Sequence, residues 1–123
     1  YLRIQVASDT FGRMLGPILE NALTYAKRSV LVTAKKLDGR NVEIAVRDDG
    51  PGFSREDADS AFEPGFRGSA SRNASAPRGT GLGLALSRRL ARANGGEVSI
   101  STGGEGGLVL LSVPLAPDDE SSG

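Results

Sequence analysis

Apolar side chains at Phe11, Met14, Leu15, Ile18, Leu19, Ala22, Leu23 and Ala26 recur at the i, i+3, i+4, i+7 spacing of a helix with one buried face. They predict a helix over residues 10–28, with Pro17 inside it marking a kink, or a break at which Pro17 opens a second piece. Residues 3–7 (RIQVA) read as a short strand ahead of it. Val30 to Lys36 and Asn41 to Asp48 are β-rich, with Asp38-Gly39 between them as a hairpin turn. A short helix is expected over 54–61, opened by Ser54 with Asp57 three residues on. Pro64 to Arg78 has little apolar periodicity, and a loop of that length in a small domain is usually functional or disordered. Leu82, Leu86 and Leu90 mark a further amphipathic helix capped by Gly95-Gly96. Residues 97–102 and 108–114 close a hairpin around GGEGG. Helices interspersed among hairpin strands predict an α/β two-layer sandwich, a mixed β-sheet with helices on one face. The domain is expected over 1–116, with 117–123 a polar C-terminal tail.

Composition narrows the chemistry. The chain has 123 residues and 38% hydrophobic content, enough for one domain with a single core. Lys+Arg and Asp+Glu both number 15, so no net charge points to nucleic acid or a membrane surface. With no cysteine there is neither a disulfide framework nor a thiolate metal site. The absence of histidine excludes His-based triads and most zinc sites. No apolar run approaches the length of a membrane span. The 17 glycines cluster, which suggests loops with demanding backbone geometry.

Three stretches carry candidate chemistry. In Val42 to Phe53, strand parity puts Asp48 on the face of Val42, Ile44 and Val46. A carboxylate ending an apolar face needs a partner, and an exocyclic amine such as that of adenine would suit an acceptor-only group. Gly50 and Gly52 leave room for a flat ring beside the backbone. The alternative is a strand-terminating turn with Asp48 in solvent. In the first helix, Asn21 lies at the edge of the apolar stripe, where its amide could serve Mg²⁺ or simply face water. Gly79-Thr80-Gly81-Leu82-Gly83 leads into a helix, and backbone N–H groups there favour an anion. That run matches neither the dinucleotide nor the phosphate-loop fingerprint, and a ligand-free flexible loop is the other reading.

In this order, a helix with Asn-Ala, an Asp-x-Gly-x-Gly, Phe62-Glu63-Pro64-Gly65-Phe66-Arg67 and Gly-Thr-Gly-Leu-Gly-Leu closely resemble the ATP-binding catalytic domain of sensor histidine kinases, over nearly the whole chain. The resemblance implies the Bergerat ATP-binding fold and the cofactors ATP and Mg²⁺. It implies that Asp48 takes the adenine amine, that Gly50 and Gly52 shape the base pocket, and that Asn21 carries Mg²⁺. Residues 65–78 would be the ATP lid, with Phe62 and Arg67 of the F box beside the nucleotide. Gly79, Thr80, Gly81, Leu82, Gly83 and Leu84 would form the hinge and phosphate-binding helix start. Asn21 and Arg67 are the catalytic candidates, while Arg72 and Arg78 are cations that could touch phosphate or only keep the lid soluble.

The accepting histidine would lie on a separate dimerisation domain, and a response regulator would act downstream. The parent would usually be membrane-anchored with this domain in the cytoplasm, and the isolated chain is expected to be a monomer. Two positions depart from the common pattern. Pro17 stands four residues before Asn21 where many members have Asn, and Thr24 stands three after it where they have Lys or Arg. Lys27 or Arg28 could supply the missing charge. Pro17 also occupies the place where hydrolases of the gyrase or MutL kind keep a glutamate base. A degenerate nucleotide-binding regulatory module and an anti-sigma-factor serine kinase are the remaining readings.

Overall fold

Alternation along the second strand organises the sheet. In the computed structural model, which describes residues 3–63 and 83–116, β1 spans Val30–Lys36 and β2 spans Asn41–Asp48. Val42, Ile44, Val46 and Asp48 of β2 are buried, while Glu43, Ala45 and Arg47 between them are not. Two more strands follow later in the chain, β3 (Glu97–Ser101) and β4 (Leu108–Pro114), giving the sheet order β1-β2-β4-β3. Register aligns the buried rows: Val46 pairs with Val109, which pairs with Ile100, and Ile44 pairs with Leu111, which pairs with Val98. All of the pairings between these strands are antiparallel, so the sheet expected to be mixed is antiparallel among the described residues. The expected strand at 3–7 reduces to one antiparallel bridge, Ile4 with Leu115.

Helix α1 (Ser8–Tyr25) buries Met14, Ile18 and Ala22, each one turn from the last. Pro17 lies inside it and leaves it unbroken, so the second helical piece does not exist. A proline inside a helix loses its own N–H bond to the preceding turn and crowds the carbonyl four residues back, and tertiary packing outweighs that cost. Helix α2 (Arg55–Ser60) starts as expected, with Ser54 Oγ accepting from the Asp57 N–H at 3.0 Å. Helix α3 (Gly83–Ala93) buries Ser87 and Ala91 rather than the Leu86 that the leucine spacing favoured; Leu86 is exposed.

The two long helices cover the buried face of the sheet and meet each other. Ser87 Oγ donates to the Met14 carbonyl at 2.6 Å, in the buried α1–α3 contact. Near the start of α3 a Cβ at Gly83 would sit 3.2 Å from Pro17 Cβ. Small residues on α3 therefore let it lie close against α1. The core then consists of these helix faces with Val42, Ile44, Val46, Val98, Val109, Leu111 and Val113. Burying one such side chain contributes about 1.5–3 kcal/mol. Not every apolar position is used this way: Leu23, Leu31, Val32 and Leu37 are also exposed.

Candidate functional site

Asp48 ends the apolar row of β2, and only 4% of it is exposed, which excludes the solvated-turn alternative. Its Oδ1 accepts from the backbone N–H of Gly50 at 2.8 Å and of Gly107 at 3.2 Å. Charge-assisted bonds of this kind offset the cost of burying a carboxylate. Backbone pairing continues from the last residue of β2 to the residue before β4: Asp48 N donates to the Gly107 carbonyl at 2.9 Å, and Gly107 N to the Asp48 carbonyl at 3.2 Å. The site therefore rests on Gly106-Gly107, which the sequence marked only as part of a turn. The available signal was register: once Arg47 faces Leu108, Asp48 must face Gly107.

Close approach, rather than flexibility, explains the glycines around this carboxylate. A Cβ at Gly107 would overlap the Asp48 carboxylate, and one at Gly50 would overlap the carbonyl oxygen of Tyr25 at the end of α1. Gly52 has φ +81, and a Cβ there would lie 2.8 Å from the Gly106 carbonyl. The loop after β2, the end of α1 and the loop before β4 thus converge on Asp48.

Pro17, Asn21 and Tyr25 are successive i, i+4 positions and form one row along α1. Gly83 at the start of α3 packs at the Pro17 end of this row, and Gly50 packs at the Tyr25 end. Asn21 stands between them. Its Nδ2 is buried and has no hydrogen-bond partner. Amide oxygen and nitrogen are assigned by hydrogen-bond context, so a flip would put the oxygen at this buried position. A buried polar group left unsatisfied costs about 1–3 kcal/mol, and such a group at the meeting point of two glycine loops fits a ligand.

Thr24 is turned away from this role, with Oγ1 donating to the Glu20 carbonyl of its own helix at 2.8 Å. Lys27 and Arg28 are held by their backbone instead. Asp49 Oδ1 accepts from the N–H groups of Lys27 at 2.7 Å, Arg28 at 3.0 Å and Ser29 at 3.3 Å. The Arg28 bond, ahead of the other two, holds the Asp49 carboxyl below its ordinary value. Sequence reasoning passed over Asp49, because nothing local shows that residues 27–29 come to meet it.

Phe62 is partly buried against the core, with the Arg88 guanidinium 4.3 Å from its ring centroid. Leu84 also packs on the core from α3. Arg67, Arg72, Arg78, Gly79, Thr80, Gly81 and Leu82, with the expected lid and the 117–123 tail, lie outside the described residues. Among the described residues, no three His, Cys, Asp or Glu side chains gather to hold a metal, and no helix is long and apolar enough to cross a membrane.

The family model for histidine kinase-, DNA gyrase B- and HSP90-like ATPases matches residues 7–117. The chain belongs to this family. Within these ATPases its similarity runs to the sensor histidine kinases. It is 35% identical over 122 residues to the sensor histidine kinase component HK1 of Mycobacterium tuberculosis, covering 97% of this chain and 70% of that one. The fold matches a mycobacterial sensor histidine kinase, MprB, with a TM-score of 0.81 at 24% identity, over 94% of this chain and 78% of the other. It also matches full-length ShkA in complex with AMPPNP, with a TM-score of 0.76 at 28% identity, covering 96% of this chain but 24% of ShkA. The chain is thus the ATPase-type catalytic domain of a sensor histidine kinase, in the Bergerat fold, and a fragment relative to kinases such as ShkA.

Proposed function

We propose that this domain binds ATP with the adenine amine on Asp48, in the cradle of Gly50, Gly52 and Gly107. The phosphates would run along the Pro17–Asn21–Tyr25 row toward the start of α3. The observation that carries this reading is the buried Asp48 carboxylate held in glycine backbone at the end of an apolar sheet row. Gly83 and Leu84 open α3 at the far end of the row, where helix N–H groups suit an anion. With its amide flipped so that the oxygen takes the place of the unpartnered Nδ2, Asn21 could give one ligand to Mg²⁺, a cation that takes few protein ligands and keeps phosphate and water. Bound there, the ion would neutralise phosphate charge.

The γ-phosphoryl group would pass to a histidine nitrogen: the bond from phosphorus to the ADP oxygen breaks and a phosphorus–nitrogen bond forms. Positioning and charge neutralisation carry most of such a transfer. The acceptor must lie on another domain, since this chain contains no histidine. That domain would be the dimerisation domain of the parent kinase, with a response regulator downstream. The parent would be membrane-anchored, with this domain in the cytoplasm. Arg67 and Phe62 would complete the nucleotide contacts.

Pro17 and Thr24 favour a second reading, a regulatory module that binds nucleotide without transferring phosphate. Pro17 is packed against Gly83, and the Thr24 hydroxyl is spent on Glu20, so neither side chain is offered to a phosphate or metal. Mixing the chain with Mg-ATP and a separately produced dimerisation domain distinguishes the two. Acid-labile phosphate on the partner supports the kinase; ATP binding without transfer supports the module.

A further inference from the structure

Arg88 and Glu97 are left unused by the nucleotide reading, yet Arg88 reaches Phe62, which that reading does use. One face of its guanidinium lies over the Phe62 ring, and its Nε donates to Glu97 Oε1 at 3.2 Å. Glu97 is itself fixed from several sides. Arg92 donates from Nε to Oε1 and from Nη2 to Oε2, each at 3.0 Å, and the Val98 N–H donates to Oε1 at 2.9 Å. A cation over an aromatic face is held by the ring quadrupole, and a carboxylate behind it restrains its other side. About a third of the Arg88 side chain is exposed, so the contact is partly withdrawn from water.

The position of this contact in the chain gives it a consequence. Phe62 comes two residues after α2 ends, and Arg88 lies in the second turn of α3, which begins at Gly83. The contact therefore joins two points on either side of residues 64–82. Both flanks belong to the proposed ATP site, Phe62 on one side and the start of α3 on the other.

We infer that Arg88 is a positioning residue: clamped by Glu97, it holds Phe62 in register with the start of α3 and so sets the affinity of the site for ATP. This rests on the ATP-binding reading. The test measures ATP affinity by calorimetry, and thermal midpoint beside it, for wild type, Arg88→Ala, Arg88→Lys, Glu97→Gln, Phe62→Leu and the Arg88→Ala/Phe62→Leu pair. Arg88→Ala is expected to weaken ATP binding about threefold to tenfold, the scale of a partly desolvated cation–π contact. Arg88→Lys keeps the cation and recovers part of the loss, and Glu97→Gln loses an intermediate amount. In the Phe62→Leu background, removing Arg88 changes ATP affinity by less than about twofold, because its partner is already gone. Equal losses in both backgrounds, or a lowered midpoint with unchanged ATP affinity, would make Arg88 an ordinary structural ion-pair residue and overturn the inference. Should Arg88→Ala not fold, Arg88→Lys and Glu97→Gln decide it by the same comparison. Wild-type protein that binds no ATP overturns the underlying reading and this inference together.

Discussion

At the scale of single residues, the proposed base contact rests on Asp48, whose place on the apolar face of its strand was visible in the sequence by parity. Parity left two outcomes for an acid in phase with Val42, Ile44 and Val46 at the end of the strand, burial or a solvated turn, and the structure buries it. Its support was not visible, because Gly107 lies 59 positions away and only strand register brings it beneath the carboxylate. Asp49 shows the same limit, since its partners are backbone groups whose approach depends on where α1 ends. Gly107 gives a direct check of the cradle. A methyl group there would overlap the Asp48 carboxylate and displace it. Gly107→Ala should weaken ATP binding by about tenfold or more, the worth of a charge-assisted hydrogen bond, while circular dichroism still reports the sheet and helices. Unchanged ATP affinity in titration calorimetry would mean that the carboxylate does not hold the ligand.

At the scale of elements, helices and hairpins were legible because their apolar periods are strong, whereas the burial of individual positions was not. The leucine spacing suggested that Leu86 faces inward, yet Ser87 takes that place and Leu86 is exposed. Close packing of α3 on α1 decides this: a hydroxyl that can reach the Met14 carbonyl fits where a leucine would not. Pro17 has a related explanation. Its ring meets Gly83 at the helix contact, so a residue expected to kink or break α1 instead lies within the helix and helps seat the start of α3. Ser87→Ala removes a buried hydrogen bond and should destabilise the domain by about 1 kcal/mol, or roughly 4 °C in thermal midpoint for a domain of this size. Ser87→Leu should cost more, because the helices cannot separate without losing that packing. Differential scanning calorimetry of the two variants measures both effects.

For the whole molecule, acid should act mainly through carboxylates that clasp one element to another. Asp49 ties the connection between α1 and β1 to the loop after β2, and Glu97 ties β3 to α3. Arg28 backbone bonding holds Asp49 below its ordinary value, and hydrogen bonding to Arg92, ahead of the other contributions, does the same for Glu97. A depressed folded-state value means that each contribution is fully present above the unfolded value. It is lost as pH falls through the folded one, below about pH 4. Urea midpoints should therefore be flat from neutral pH to about pH 5 and fall below about pH 4, and Asp49→Asn should flatten part of that fall. The exposed Leu23, Leu31, Val32 and Leu37 leave apolar surface beyond what one core accounts for, which the sequence pattern had hidden inside regular stripes. The central claim remains that the buried carboxylate of β2 recognises the nucleotide base. Asp48→Asn tests it most directly, because the amide keeps an oxygen for Gly50 and Gly107 but replaces the other acceptor with a donor. Calorimetric titration with ATP should show binding by wild type and none by Asp48→Asn, with the thermal midpoint of the variant close to wild type. ATP affinity equal to wild type in the folded Asp48→Asn protein would contradict the account.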